Sequence, residues 1–365
     1  MLMSTAVLAS LSLAAPAPAA AGPTLHSLPR ATDAISMTSG PEGVIWFAGS
    51  RAVPFQGPEA LVGRIDRNGE VETFALPPRR ATRKIVAGPD GNLWFSEAYA
   101  NKRGYQVPRI GRMSPAGEFT EYRLGNRVGR VRSITAGPDE ALWFTLSYKV
   151  QGRQREEIGR IDPAGEVTRF PLPPRSGLAG IAAAPDGNLW FTLGGSEAPA
   201  IGRITPEGRV TRFPLPTRRW VPQDIVAGPD GNLWFSETLR VSGGDVRSKI
   251  GRIATDGSIA QFRVPGRYGT RGIAAGPTGE IWFTTILGRK QVISSIAPDG
   301  GTTVVRCLEE SCDFVPRAMA VDPEGALWFS AHKLYTREGG GQTGFIETMQ
   351  ENEEADVVGF FESAG

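Results

Sequence analysis

Four arginines and one glutamine occupy the same position in copies of a repeated phrase, eleven residues before a tryptophan: Arg83, Arg132, Arg271, Arg317 and Gln223. Guanidinium groups present fixed forks of donors that suit carboxylate or phosphate oxygens. Several of them at one concave mouth would strengthen each other's field. We therefore interpret these five side chains as a binding site for a small anionic or polar ligand. Ordinary solvated charge, with Arg83 paired to Glu97, is the alternative.

A histidine and two cysteines are the other residues suited to chemistry. His332 stands one residue beyond the matching position of the last repeat, and imidazole is readily poised as a base near neutral pH. A surface residue at a strand end is the alternative. Cys307 and Cys312 lie close together in CLEESC, which predicts a disulfide in an exported chain. Two cysteines and two histidines cannot form a Cys/His zinc cage.

The repeated phrase itself is organised around tryptophan and reads GPDGNLWF in its fullest form. Seven tryptophans carry it at intervals of 44 to 49 residues: Trp46, Trp94, Trp143, Trp190, Trp234, Trp282 and Trp328. A constant period of this length is typical of one domain built by repetition. We expect that domain to span residues 23–365.

Each period contains four short strand-like runs separated by turns rich in glycine, proline and aspartate. The third run recurs as IGRI and the fourth as VTRFPLP, whose prolines place it at the outer edge. Four-stranded antiparallel units that are apolar on both faces must pack against one another. The sequence therefore predicts an all-β fold, a seven-bladed β-propeller whose first strands line a central channel. Positions eleven before and three after each tryptophan should then meet at one mouth.

Closure of the ring can be predicted from the two ends of the chain. Residues 24–29 resemble a fourth strand without a preceding first strand, so we expect them to complete the last blade, with Thr343–Met349 as its third strand. Alternatively, residues 356–361 supply the outer edge and residues 24–29 lie elsewhere.

The N-terminal residues and the amino-acid composition predict where the protein is located and which partners it binds. Residues 1–22 combine an apolar run with small residues and Ala-x-Ala sites, which predicts a signal peptide and a secreted, extracellular protein. Forty basic and 38 acidic residues nearly balance, so overall charge predicts no nucleic-acid partner. No later stretch approaches the ~20 apolar residues of a membrane span. We expect a monomer that binds a small ligand or an extracellular protein.

With GPDGNLWFSE, IGRI and VTRFPLP together, the sequence resembles the virginiamycin B lyase family, also called streptogramin lyases. The resemblance implies a propeller. It also implies an elimination that opens type B streptogramins, in which a histidine removes a proton and a glutamate-bound magnesium ion polarises the ester.

The positions that match the family's catalytic histidines hold Arg271 and Arg317 here, and the matching glutamate positions hold Thr285 and Ala331. Arginine remains protonated and cannot act as the base. We therefore expect a binding protein without lyase activity. One alternative is a magnesium-dependent lyase that uses His332 as base and Glu97 or Glu237 on the Mg²⁺. The other is a structural or surface interaction module.

Overall fold

The computed structural model describes residues 24–29, 32–53, 57–195, 198–240, 246–264, 270, 272–276, 279–287, 290–305, 314–333 and 356–361. The predicted signal peptide, the Cys307–Cys312 disulfide, Arg271 and the predicted strand Thr343–Met349 lie outside these residues. Within them, no helix has both the length and the apolar character needed to cross a membrane.

The described strands form antiparallel sheets of four, which confirms the prediction of a β-propeller with four-stranded blades. Six sheets contain consecutive strands. Blade one comprises β2 (Thr32–Ser39), β3 (Ile45–Val53), β4 (Gly57–Ile65) and β5 (Val71–Ala75), with a 3₁₀ turn at Pro41–Gly43. Blade two comprises β6 (Arg80–Ala87), β7 (Leu93–Ala100), β8 (Gln106–Met113) and β9 (Phe119–Arg123).

Blade three comprises β10 (Gly129–Ala136), β11 (Leu142–Val150), β12 (Arg153–Ile161) and β13 (Val167–Leu172). Blade four comprises β14 (Leu178–Ala183), β15 (Leu189–Leu193), β16 (Ala200–Ile204) and β17 (Val210–Pro214). Blade five comprises β18 (Val221–Ala227), β19 (Leu233–Arg240), β20 (Val246–Ile253) and β21 (Ile259–Arg263). Blade six comprises β22 (Ile273–Ala275), β23 (Ile281–Leu287), β24 (Lys290–Ile296) and β25 (Thr302–Val305).

The remaining sheet joins both ends of the described chain. Its order is β26 (Phe314–Val321), β27 (Leu327–Lys333), β28 (Asp356–Phe361) and then β1 (Thr24–Ser27). The expectation that the N-terminal strand completes the last blade is therefore confirmed. The expected third strand was wrong, because Asp356–Phe361 pairs with β27 on one side and β1 on the other. The first strands touch in the closed order β2, β6, β10, β14, β18, β22, β26 and back to β2.

The tryptophan of the repeated phrase packs between neighbouring blades. In blade two, Trp94 is fully buried and belongs to an apolar cluster with Leu142 and Phe144 of blade three. Its ring stacks on Tyr122 of the outer strand at 5.3 Å, and its indole nitrogen donates to Asp90 Oδ1 at 2.9 Å. A buried indole N–H needs an acceptor. The aspartate of the GPDG turn therefore stabilises the buried tryptophan in addition to forming the turn.

A serine or threonine follows the Trp-Phe pair in six of the seven repeats, with Ala48 in the first, and hydroxyls at this position join neighbouring blades. Six such hydroxyls accept a hydrogen bond from a first-strand amide of their own blade: Ser96, Thr145, Thr192, Ser236, Thr284 and Ser330. Thr192 Oγ1 also donates to the Gln223 carbonyl of the next blade at 2.7 Å. Thr145 does the same to Ala179 at 2.7 Å. These bonds fix the spacing of the first strands around the channel.

We expect Thr192→Val to destabilise the protein by about 2 kcal/mol, because it leaves the buried Gly180 amide without an acceptor and the Gln223 carbonyl without that donor. The midpoint of urea unfolding measures the change. Thr211→Val, which alters an exposed threonine of the outer strand of blade four, is the matched control. Equal midpoints for the two variants would contradict the role of the hydroxyl.

Candidate ligand-binding site

A β-bulge places the predicted ligand-binding residues at the channel. In blades one to five and in the last blade, the register of the first two strands shifts at the position eleven before the tryptophan. Glu97 therefore lies opposite Thr82, and Arg83 occupies the bulge. The expected pairing of positions eleven before and three after was wrong by one residue. Bulges re-aim side chains, and both Arg83 and Arg132 are exposed here.

Arg83 and Arg132 line one cavity of about 510 Å³ between blades two and three. Arg130 of β10 and Lys149 of β11 line it too, together with Gly104 and Tyr105 of the loop before β8 and Gln106 at the start of β8. Two of the five predicted ligand-binding residues are thus brought together with two further cations. This volume falls in the range of small-molecule sites, roughly 300–1,000 Å³.

The four cations of this cavity are not neutralised by ion pairs among the described residues. The pKa of Arg132 is lowered, mainly because the surrounding protein removes water from the guanidinium group. The positive charges of Arg130 and Arg83 lower it further, while the negative charge of Glu156 acts in the opposite direction. Arginine still remains protonated. Mutual repulsion of this kind is relieved by a bound anion.

Glu97 belongs to the cavity wall, but its side chain has no exposed surface. Its Oε1 lies 2.5 Å from Arg80 Nε, and Arg80 and Arg109 both pair with Glu121, at 2.7 and 3.1 Å. Burial and then the Glu121 charge raise the pKa of Glu97 to about 8. At neutral pH this carboxyl is largely protonated, so it does little to offset the cations in front of it.

Glu237, the equivalent residue of blade five, is likewise fully buried. Gln261 Nε2 donates to both of its carboxylate oxygens at 2.8 and 2.9 Å, and burial raises its pKa. Across the described part of the chain, no group of three or more His, Cys, Asp or Glu side chains is placed to hold a metal. Glu97 and Glu237, each engaged inside its own blade, do not fit a shared Mg²⁺ site.

An ion pair crosses the channel between non-neighbouring blades. Lys84 Nζ of blade two lies 2.8 Å from Asp224 Oδ2 of blade five. Both residues directly follow a bulge residue, Arg83 and Gln223, so the same backbone feature positions them. The bulge of blade two therefore positions both a cavity-lining arginine and one partner of this ion pair.

Comparison with known proteins gives one consistent result. The sequence matches the virginiamycin B lyase family over residues 18–238 and 105–357. The chain belongs to this family. No curated protein sequence gives a significant match.

The solved structures that are similar to the chain include other members of the virginiamycin B lyase family. A streptogramin B lyase is 26% identical, covering 93% of this chain and 97% of its own, with a TM-score of 0.69. A catalytically inactive histidine-to-alanine variant of Staphylococcus aureus virginiamycin B lyase with quinupristin is also 26% identical, covering 93% and 98%, with a TM-score of 0.69. The polysaccharide lyase Uly1, 8% identical over 90% and 89% with a TM-score of 0.57, shows the fold alone.

The other predicted site residues of this family member are distributed around the ring. Gln223 is exposed in the bulge of blade five and does not line the cavity. Arg317 falls in the bulge of β26, between Pro316 and Met319. The backbone of His332 lies in β27, opposite Val315 and Asp356. These positions stay predictions of function.

Sequence reasoning missed Arg130, Lys149 and Tyr105, which all line the cavity. The length of the second and third strands of blade three could have indicated these residues, because β11 and β12 have nine residues each. The corresponding strands of blade four have only five. The longer hairpin extends past the bulge and carries Lys149 to the cavity.

We expect Glu97→Gln to flatten the pH dependence of stability. The folded protein holds a proton on Glu97 up to about pH 8, whereas the unfolded chain releases it near the ordinary value of 4.5. Wild-type stability therefore falls as pH rises through this window. The variant lacks this loss, so its Tm relative to wild type should increase from pH 5 to pH 8.5, as followed by circular dichroism.

The control is Glu118→Gln, which removes an exposed carboxylate from the same blade. Parallel Tm curves for Glu97→Gln and wild type across the window would contradict the buried protonated state.

Proposed function

We propose that the protein is an exported propeller that binds a small anionic ligand in the cavity between blades two and three. The observation that carries this proposal is the set of four cations, Arg83, Arg130, Arg132 and Lys149, around one space of about 510 Å³. Elsewhere in the described structure, arginines such as Arg80 and Arg169 have carboxylate partners. The cations of the cavity lack them, which favours a ligand that supplies the missing charge.

The chemistry of the cavity favours carboxylate or phosphate oxygens. Arginine forks bind two oxygens of one such group at once, and charged hydrogen bonds are stronger than neutral ones. Glu97 is protonated at neutral pH and the neighbouring Glu121 is held by Arg80 and Arg109. Neither carboxyl therefore competes with the ligand for the cations of the cavity.

A magnesium-dependent lyase is the second candidate, and it is favoured by membership of the family and by the S. aureus relative with quinupristin. His332 would act as the base in that reaction. Against it, Arg317 cannot remove a proton, and Glu97 and Glu237 are each buried and engaged. No step through Mg²⁺ can be derived from these residues. A partner protein at the same mouth remains the third candidate.

We expect Arg83→Ala combined with Arg132→Ala to weaken binding of inorganic phosphate or malonate by at least about tenfold, because each charged hydrogen bond contributes about 1.5–3 kcal/mol. Isothermal titration calorimetry measures this effect. Arg209→Ala, which alters an exposed arginine of blade four, should leave the affinity unchanged. Equal losses in both variants, or none in either, would contradict the assignment of the cavity.

We expect incubation with quinupristin and Mg²⁺ to give no linear product above a protein-free control, because arginine replaces the matching histidines. Mass spectrometry of the mixture detects ring opening. If the wild-type protein forms linear product and His332→Ala does not, the lyase hypothesis would be supported and the hypothesis of a binding protein without lyase activity would be wrong.

A further inference from the structure

We propose that the cavity selects anions that carry an aromatic ring, with Tyr105 and Val128 as the specificity-determining residues. This inference rests on the proposed function, because it concerns the same cavity. It adds the class of ligand: an arene joined to one or more carboxylates.

Exposed apolar side chains are concentrated at this cavity. Among the described residues, three large hydrophobic side chains are exposed: Tyr105 at 53%, Val128 at 37% and Val210 at 41%. Tyr105 and Val128 both line the cavity, whereas Val210 lies on the outer strand of blade four. Single exposed hydrophobic residues need no explanation. Two that share one recess with four cations form a mixed apolar and cationic surface.

The exposure of Tyr105 is built into its loop. Asn101 Oδ1 accepts hydrogen bonds from the amides of Arg103 and Tyr105 at 2.9 and 3.1 Å. The Asn101 amide donates to the Tyr105 carbonyl at 2.9 Å, and Gly104 supplies the positive φ of 77° that this tight loop requires. An ordered loop presents the ring at little entropic cost on binding.

Val128 is fixed next to a cation. The Lys149 amide donates to the Val128 carbonyl at 2.9 Å, which joins the start of blade three to the end of β11. The backbone thus brings an apolar side chain and an ammonium group to neighbouring positions of the same cavity. A ligand with separate charged and apolar parts matches this arrangement better than a small inorganic anion does.

An aromatic carboxylate can use both parts of the surface. Its oxygens accept from the guanidinium forks of Arg83 and Arg132, while its ring packs against Tyr105 in an offset or edge-to-face arrangement. Guanidinium planes also stack on aromatic rings. Aromatic pairs contribute about 0.5–1.5 kcal/mol beyond area burial, which corresponds to a gain in affinity of about two- to twelvefold.

The test compares malonate with phenylmalonate, which has the same two carboxylates and an added ring. Calorimetry on the full chain should show phenylmalonate binding at least about fivefold tighter than malonate. Tyr105→Ala should bring the ratio of phenylmalonate affinity to malonate affinity close to one. Because Tyr105 is exposed, we expect little loss of stability, and the Tm of the variant checks folding.

The two exposed valines provide the matched control. Val128→Ala should reduce the preference for phenylmalonate, and Val210→Ala should not. Equal affinity for the two probes, with both lost in Arg83→Ala combined with Arg132→Ala, would overturn the aromatic selection and leave the anion site intact. Failure of every anionic probe to bind would overturn the proposed function and this inference together.

Discussion

The arrangement of the channel depends on the hydrogen bonds of the hydroxyl that follows the Trp-Phe pair in six of the seven repeats. The hydroxyl accepts a hydrogen bond from the first-strand amide that the bulge leaves without a partner in the ladder. The hydroxyls of Thr145 and Thr192 also donate a hydrogen bond to a backbone carbonyl of the next blade. The bulge would otherwise leave a buried donor unpaired, which costs about 1–3 kcal/mol. One side chain therefore makes the bulge tolerable and sets the distance to the neighbouring blade.

The bulge in turn determines what faces the channel. It shifts the register so that Arg83 and Arg132 leave the regular ladder, and it places Lys84 and Asp224 where they meet across the channel at 2.8 Å. Tryptophans pack in fully buried apolar clusters between the surrounding blades, and close-packed interiors resist changes of spacing. Side chains at the bulge can therefore vary without loss of the fold, which makes the position suitable for evolving a binding site.

The placement of charged side chains in blade two explains the positive charge of the candidate site. Arg80 and Arg109 are drawn inward to Glu97 and Glu121, and Arg80 also lies over the Tyr99 ring at 4.7 Å. Glu97 is largely protonated and Glu121 pairs with Arg80 and Arg109, so neither carboxyl offsets the charge of Arg83 and its neighbours in blade three. Within the described structure, the cavity therefore keeps an unpaired positive charge, which is the basis of the proposed anion binding.

The sequence by itself determined the repeat, the four-stranded blade, the outer position of the N-terminal strand and the equivalence of Arg83 and Arg132. Turn chemistry and strand periodicity are local, so they can be read along the chain. Only the tertiary structure decided that Glu97 pairs with Arg80 and not with Arg83, and that Asp356–Phe361 is the third strand of the closing blade. It also decided that Arg130, Lys149 and Tyr105 join the site. These outcomes depend on a one-residue bulge and on distances between blades, and no spacing within one repeat encodes them.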